Sequence, residues 1–159
     1  MNTEFRFAKE DDCGLILKFI KGLADYEKMS DQVVATEELL KEQLFDKKQA
    51  EVIFAMEDGK EVGFALFFHN FSTFLGKSGL YLEDLYVLPE YRKRGHGKAL
   101  LKKLAGIAVD RGYGRFEWWC LDWNKPSIDF YKSLGAVPMD EWTVYRVCDE
   151  GLSRLAEEP

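Results

Sequence analysis

Leu80-Tyr81-Leu82-Glu83-Asp84-Leu85-Tyr86-Val87-Leu88-Pro89, followed closely by Arg92-Lys93-Arg94-Gly95-His96-Gly97-Lys98, decides how this chain folds. The first part reads as a long strand, Leu80 to Leu88, stopped by Pro89. The second is a glycine-relieved turn that opens a helix, Gly97 to Arg111, whose stripe is Leu100, Leu101, Leu104, Ala105 and Ala108. Gly112 stands where a left-handed stop belongs. Arg115 to Leu121 is the next strand, so the helix must cross between two strands that run the same way. A ligand belongs where that pair diverges, at the carboxyl ends of its strands.

Upstream, Glu4 to Ala8 alternates and reads as a strand. Asp11 or Asp12 caps a helix with its stripe on Leu15, Ile16, Phe19, Ile20 and Leu23. Tyr26 extends the stripe and Glu27 follows at the helix end. A second helix is expected from Thr36 to Phe45. Glu51 to Glu57 and Glu61 to His69 are strands joined at Asp58-Gly59, and Phe71 to Gly79 reads as a loop. Downstream, Asn124-Lys125-Pro126-Ser127 opens a short helix that ends at Gly135. Glu141 to Val147 is expected as a last strand and Gly151 to Glu158 as a tail helix. The class is α/β, with a parallel pair inside a mixed sheet. With 159 residues, the expectation is a single domain spanning 1–159.

The net charge of −6 argues against a nucleic-acid or anionic-membrane surface, which needs a basic face. It suits a cationic small molecule. Cys13, Cys120 and Cys148 are odd in number and lack a Cys-x-x-Cys spacing, which points to a reducing, cytoplasmic setting. With only His69 and His96 as histidines, no metal is expected. No cleavable leader is read in Met1 to Phe7, and no apolar run reaches the ~20 residues of a membrane span.

The turn at 92–98 suits a pyrophosphate. A helix start offers unpaired N–H groups and the positive end of its dipole. Gly95 and Gly97 let the backbone come close, and Arg92, Lys93, Arg94 and Lys98 concentrate positive charge in an acidic chain. It is not a P-loop, which needs Gly-Lys-Ser/Thr. Nor is it a dinucleotide fingerprint, since Leu100 stands where Gly or Ala is wanted. The turn alone leaves open a plain strand-to-helix connection with solvated basic residues.

The flanking sequence closes that choice. Arg92-x-x-Gly95-x-Gly97 after a strand resembles the signature of the GCN5-related N-acetyltransferase (GNAT) superfamily, and the resemblance extends over nearly the whole chain. It is closest to the diamine (spermidine/spermine) acetyltransferase branch in Leu23 to Met29, Leu80 to Val87, Trp123 to Lys132 and Trp142 to Val147. The resemblance implies a mixed, mostly antiparallel twisted sheet with a splayed parallel pair and helices on both faces. It implies acetyl-coenzyme A as cosubstrate and a homodimer as the assembly. The backbone of Leu85, Tyr86 and Val87 would pair with the pantetheine arm. Arg92, Lys93, Arg94, Gly95, His96, Gly97 and Lys98 would hold the pyrophosphate. Asn124, Pro126 and Ser127 would contact the coenzyme at the second helix. Tyr131 matches the family's catalytic tyrosine and would protonate the leaving thiolate.

The acceptor amine must shed a proton, because ammonium has no lone pair. Glu83 is expected to bind it and act as base through water, with Asp84 in support. Adjacent strand residues point to opposite faces, so both reach one ligand only at a bulge. Tyr26 and Glu27 match a branch position that contacts the polyamine, and Glu117, Trp118 and Trp119 are candidates to line the acceptor groove. Lys125 departs from the branch, replacing an acidic residue between asparagine and proline. That leaves shorter amines and lysine analogues as acceptors beside polyamines. A peptide or protein-lysine acetyltransferase and a non-catalytic acyl-coenzyme-A-binding module are the alternatives.

Overall fold

A computed structural model describes residues 3–159. The described chain divides into two compact units, one ending at Trp119 and one beginning at Cys120.

The first unit is built on a five-stranded sheet in the order β1-β2-β3-β4-β5. The strands are β1 (Glu4–Phe7), β2 (Glu51–Glu57), β3 (Lys60–Ser72), β4 (Lys77–Val87) and β5 (Phe116–Trp118). Neighbours are antiparallel except β4 and β5, which run parallel as the crossover required. Asp58 (φ 50°) and Gly59 (φ 77°) make the two-residue turn between β2 and β3, both left-handed as a twisted hairpin demands.

The β3–β4 hairpin is longer than the sequence suggested. The stretch expected as a loop over 71–79 narrows to 73–76, closed by the Gly76 amide on the Ser72 carbonyl at 2.8 Å. The extra ladder consists of Asn70 with Gly79, Phe71 with Ser78 and Ser72 with Lys77; just before it, Phe68 packs on Tyr81 with ring centroids 5.1 Å apart.

Three helices accompany the sheet. In α1 (Cys13–Tyr26), Ile16 and Phe19 are fully buried against Phe54 and Phe64. Phe19 stacks on Phe64 with centroids 5.4 Å apart. Asp12 stands at the helix start, but its carboxylate is held by the Arg6 guanidinium, both bonds at 2.8 Å, and by the Lys9 amide at 2.7 Å. The second helix, α2 (Glu37–Leu40), begins at Thr36, whose hydroxyl accepts the Leu39 amide, and continues as a π-helical turn over Lys41–Asp46. Side chains alternate across a strand, so Ile53 and Ala55 face away from α1. Leu100, Leu101, Leu104 and Ala108 of α3 (His96–Asp110) are buried and pack on β3 and β4. At the end of α3, Tyr113 N–H reaches the Ala108 carbonyl at 2.9 Å while Gly112 takes φ 72°, the expected left-handed stop.

In the second unit, α4 (Lys125–Ser133) starts at Asn124, whose side chain accepts the Ser127 amide, and holds Pro126 in its first turn. Gly135 follows at φ 91°. The tail helix is α5 (Asp149–Glu157). The strand expected over 141–147 is absent, and β5 is three residues long rather than running on to Leu121. Alternation favours an extended chain, but a strand exists only with a ladder partner, and 120–159 contains no other strand.

Phe19 joins α1 to three rings of the sheet, Phe54, Phe64 and Tyr86. Replacing Phe19 by Ala should lower unfolding free energy by about 3–5 kcal/mol in urea titrations. A loss below about 1 kcal/mol would show that this cluster does not anchor the helix.

Candidate active site

The site begins with an irregularity in the ladder. Leu66 pairs with Asp84 and Phe67 with Leu82, so Glu83 has no counterpart on β3. This is the bulge that the two adjacent carboxylates need if both are to serve one ligand. Burial, then the charges of Glu83 and Glu27, pushes the Asp84 carboxyl from 3.8 up to about 7. Glu27, at the end of α1, is also raised, first by burial and then by Glu83. Glu83 itself is exposed. These carboxylates therefore share one electrostatic neighbourhood, which favours an incoming cation.

Tyr86 and Arg92 join that neighbourhood to the turn. A β-carbon at Gly22 would lie 2.8 Å from the Tyr86 hydroxyl, so α1 needs a glycine to pass this ring. The Arg92 guanidinium lies 5.1 Å from the Tyr26 ring centre and 5.5 Å from that of Tyr86. Its Nε donates to the Val87 carbonyl at 3.0 Å. A residue expected to hold phosphate thus also ties Tyr26, Tyr86 and Val87 together.

β4 loses its β5 neighbour early. The parallel ladder runs Leu80–Phe116, Tyr81–Glu117, Leu82–Trp118 and stops. Beyond it, the β4 edge carrying Leu85, Tyr86 and Val87 has no strand on that side among the described residues. In the turn that follows, Lys93 (φ 63°) and Gly95 (φ 86°) are both left-handed. Such a conformation is costly for lysine. Gly95 is the N-cap of α3, and the first helical bond is Ala99 N–H to its carbonyl at 3.0 Å. The amides of His96, Gly97 and Lys98 precede that bond and are the orphan donors of a helix start.

The side chains of Arg94 and His96 turn elsewhere. Both bond Glu57, at 2.6 and 3.0 Å, and His96 is buried. What His96 can offer a ligand is its amide. No spacing signalled Glu57 in the sequence, because its partners lie on an element far along the chain.

On β5, Glu117 pairs with Arg115 at 3.0 Å and accepts from Asn70 at 3.4 Å. Trp118 packs on Phe116 and Trp119 meets Tyr81 edge-on, so the two indoles diverge as strand alternation requires. In the second unit, Asn124 is buried and Ser127 and Tyr131 are half-buried on α4. Lys125 is exposed and bonds Asp129, one turn on, at 3.1 Å.

A carboxyl raised on folding is stabilising while protonated and loses that advantage as pH climbs through its folded value. Wild-type stability should therefore fall between pH 4 and about 7 on account of Asp84. In urea titrations at pH 5 and pH 8, Asp84→Asn should show a smaller drop than wild type. Equal drops would mean that another group titrates.

Comparison with known proteins supplies the identity. Residues 20–136 match the model of the acetyltransferase (GNAT) family. The thialysine N-epsilon-acetyltransferase of Sus scrofa is 42% identical over 95% of this chain and 95% of its own. An L-ornithine N5-acetyltransferase of Arabidopsis thaliana is 30% identical over 98% of this chain and 88% of its own. Among solved structures, an integron cassette protein of V. cholerae superposes with a TM-score of 0.81 at 30% identity, covering 99% of each chain. The chain belongs to the acetyltransferase (GNAT) family and is an N-acetyltransferase.

Proposed function

We propose that this enzyme uses acetyl-coenzyme A to acetylate the terminal amine of a small, lysine-like amino acid. The observation that carries the reading is the gathering of Glu27, Glu83 and Asp84 at the bulge of β4, immediately before its unpaired edge. The named activities of the relatives, on thialysine and on ornithine, support an acceptor of this size. A polyamine acceptor is the second reading, favoured by the same acidic cluster.

The coenzyme, when bound, supplies the acetyl group as a thioester. The residues present fit it. The free edge at Leu85, Tyr86 and Val87 can take an extended amide-bearing arm as a strand takes its neighbour. An amide of that edge can also donate to the carbonyl oxygen as charge develops on it. A β-carbon added at Gly95 or Gly97 would meet nothing within 4 Å, so the backbone is open to close approach by the pyrophosphate. Arg92, Lys93 and Lys98 add charge there. In this reading Asn124, Pro126 and Ser127 shape the second contact at the start of α4, and Tyr131 protonates the departing sulfur.

Glu27 and Glu83 hold the ammonium, with Tyr26 beside them and Glu117, Trp118 and Trp119 along the groove. Asp84, rather than the Glu83 expected from sequence, takes the proton in this reading, because Glu83 is exposed and Asp84 is the carboxyl that burial raises. A carboxyl near 7 is a better base at neutral pH than an ordinary one. An alkylammonium titrates at ~10.4 in water, so the transfer is uphill and a raised carboxyl lessens its cost. The enzyme acts as a cytoplasmic homodimer in this reading, and sedimentation would test the assembly.

A thiol-release panel of thialysine, ornithine, lysine, putrescine, spermidine, spermine and a basic peptide tests the acceptor. Thialysine and ornithine should give the highest kcat/KM. Spermine or the peptide at the top would overturn the choice. Tyr131→Phe should lower kcat about 100-fold with coenzyme affinity kept. Unchanged turnover would remove Tyr131 from the chemistry.

A further inference from the structure

Glu57 is the last residue of β2, next to the Asp58-Gly59 turn and just after a register shift between Ala55 and Met56. It is 8% exposed. A carboxylate this deep must be paired. One oxygen accepts from Arg94 Nη1 at 2.6 Å and the other meets His96 Nε2 at 3.0 Å. His96 Nδ1 meets the Thr3 hydroxyl at 3.0 Å. An ionised carboxylate only accepts, so Nε2 of His96 donates to Glu57. Arg94 also donates to the Glu90 carbonyl at 3.3 Å and lies over the Tyr91 ring at 4.9 Å.

The two partners of Glu57 flank Gly95, the N-cap of α3. One buried carboxylate therefore grips the turn on both sides of its left-handed glycine. That is where a helix start must be held if its amides are to point at a ligand without ordering cost on binding. Of this turn, His96 is buried on the strand end, while Arg94 reaches the same carboxylate from the exposed surface that it shares with Arg92, Lys93 and Lys98.

We propose that Glu57 is a positioning residue for the coenzyme, locking the 92–98 turn through Arg94 and His96 in the form that presents the first amides of α3 to a pyrophosphate. The inference rests on the coenzyme reading of that turn. Glu57→Gln keeps the shape and sets an amide donor against Arg94 or His96. In the purified enzyme, coenzyme A should bind about tenfold more weakly to this variant. The KM for acetyl-coenzyme A should rise equally, with kcat at saturation unchanged. S-acetylpantetheine, which lacks the pyrophosphate, should be used as well by the variant as by wild type.

An equal loss on both donors would make Glu57 a structural residue only and overturn the proposal. So would unchanged coenzyme affinity in folded Glu57→Gln. If that variant does not fold, Thr3→Val loosens the same chain from its outer end. It should show about a threefold loss confined to the pyrophosphate-bearing donor, and no such loss would equally overturn the proposal. A wild-type enzyme that does not distinguish the two donors would defeat the coenzyme reading itself. That result appears before any substitution is made.

Discussion

The fourth strand has to be inside the sheet and at its edge at once. On one side it pairs with β3 along its length. On the other it pairs with β5 at Leu80, Tyr81 and Leu82, and beyond them no strand lies beside it among the described residues. Unpaired strand edges are normally short, covered or charged, because they template unwanted pairing. Here the open edge is short and ends at Pro89 and a basic turn, features that discourage pairing with another chain. The crossing helix α3 makes this arrangement necessary. It must leave the end of β4 and bring the chain back beside β4 in parallel, and that places the helix start next to the free edge.

Charge is arranged around the same edge with opposite signs at its two ends. Glu27, Glu83 and Asp84 collect before it, and Arg92, Lys93 and Lys98 after it. The bulge is the device that permits the acidic end, since regular pleating would send Glu83 and Asp84 to opposite faces. Its cost is visible in Asp84, whose carboxyl is displaced to about 7 by burial beside like charges. A free enzyme stabilises itself by keeping that proton, and a bound cation removes the reason to keep it. Strain at Lys93 and crowding at Asp84 thus sit at the two places where a ligand of each sign is expected.

Support for the turn comes from residues that carry no chemical signature of their own. Glu57 ends β2 and Thr3 lies just before β1, and Gly22 matters because Tyr86 presses on α1 there. Arg94 and His96 show the converse. By sequence both belong to a phosphate turn, yet their side chains face the buried Glu57.

Local order was legible from the chain. The Asp58-Gly59 turn, the left-handed stop at Gly112, the stripe of α1 and the crossover from β4 to β5 depend on spacing within one or two turns or strands, and spacing is written in sequence. The family was legible for the same reason, since Arg92-x-x-Gly95-x-Gly97 is a contiguous signature. The reading failed where a partner decides the outcome. Alternation over 141–147 suggested a strand, but a strand needs a neighbour. Cross-strand pairing of 70–72 with 77–79 lengthened the β3–β4 hairpin into what read as loop. At the opening stretch, the sequence by itself determined a strand, a phosphate-type turn and a helix in that order. Only the tertiary structure decided that the strand is bulged at Glu83, that β5 leaves it after Leu82, and that Glu57 holds the turn from beneath. Those features arise from contacts between residues far apart in the chain, and no local periodicity encodes them.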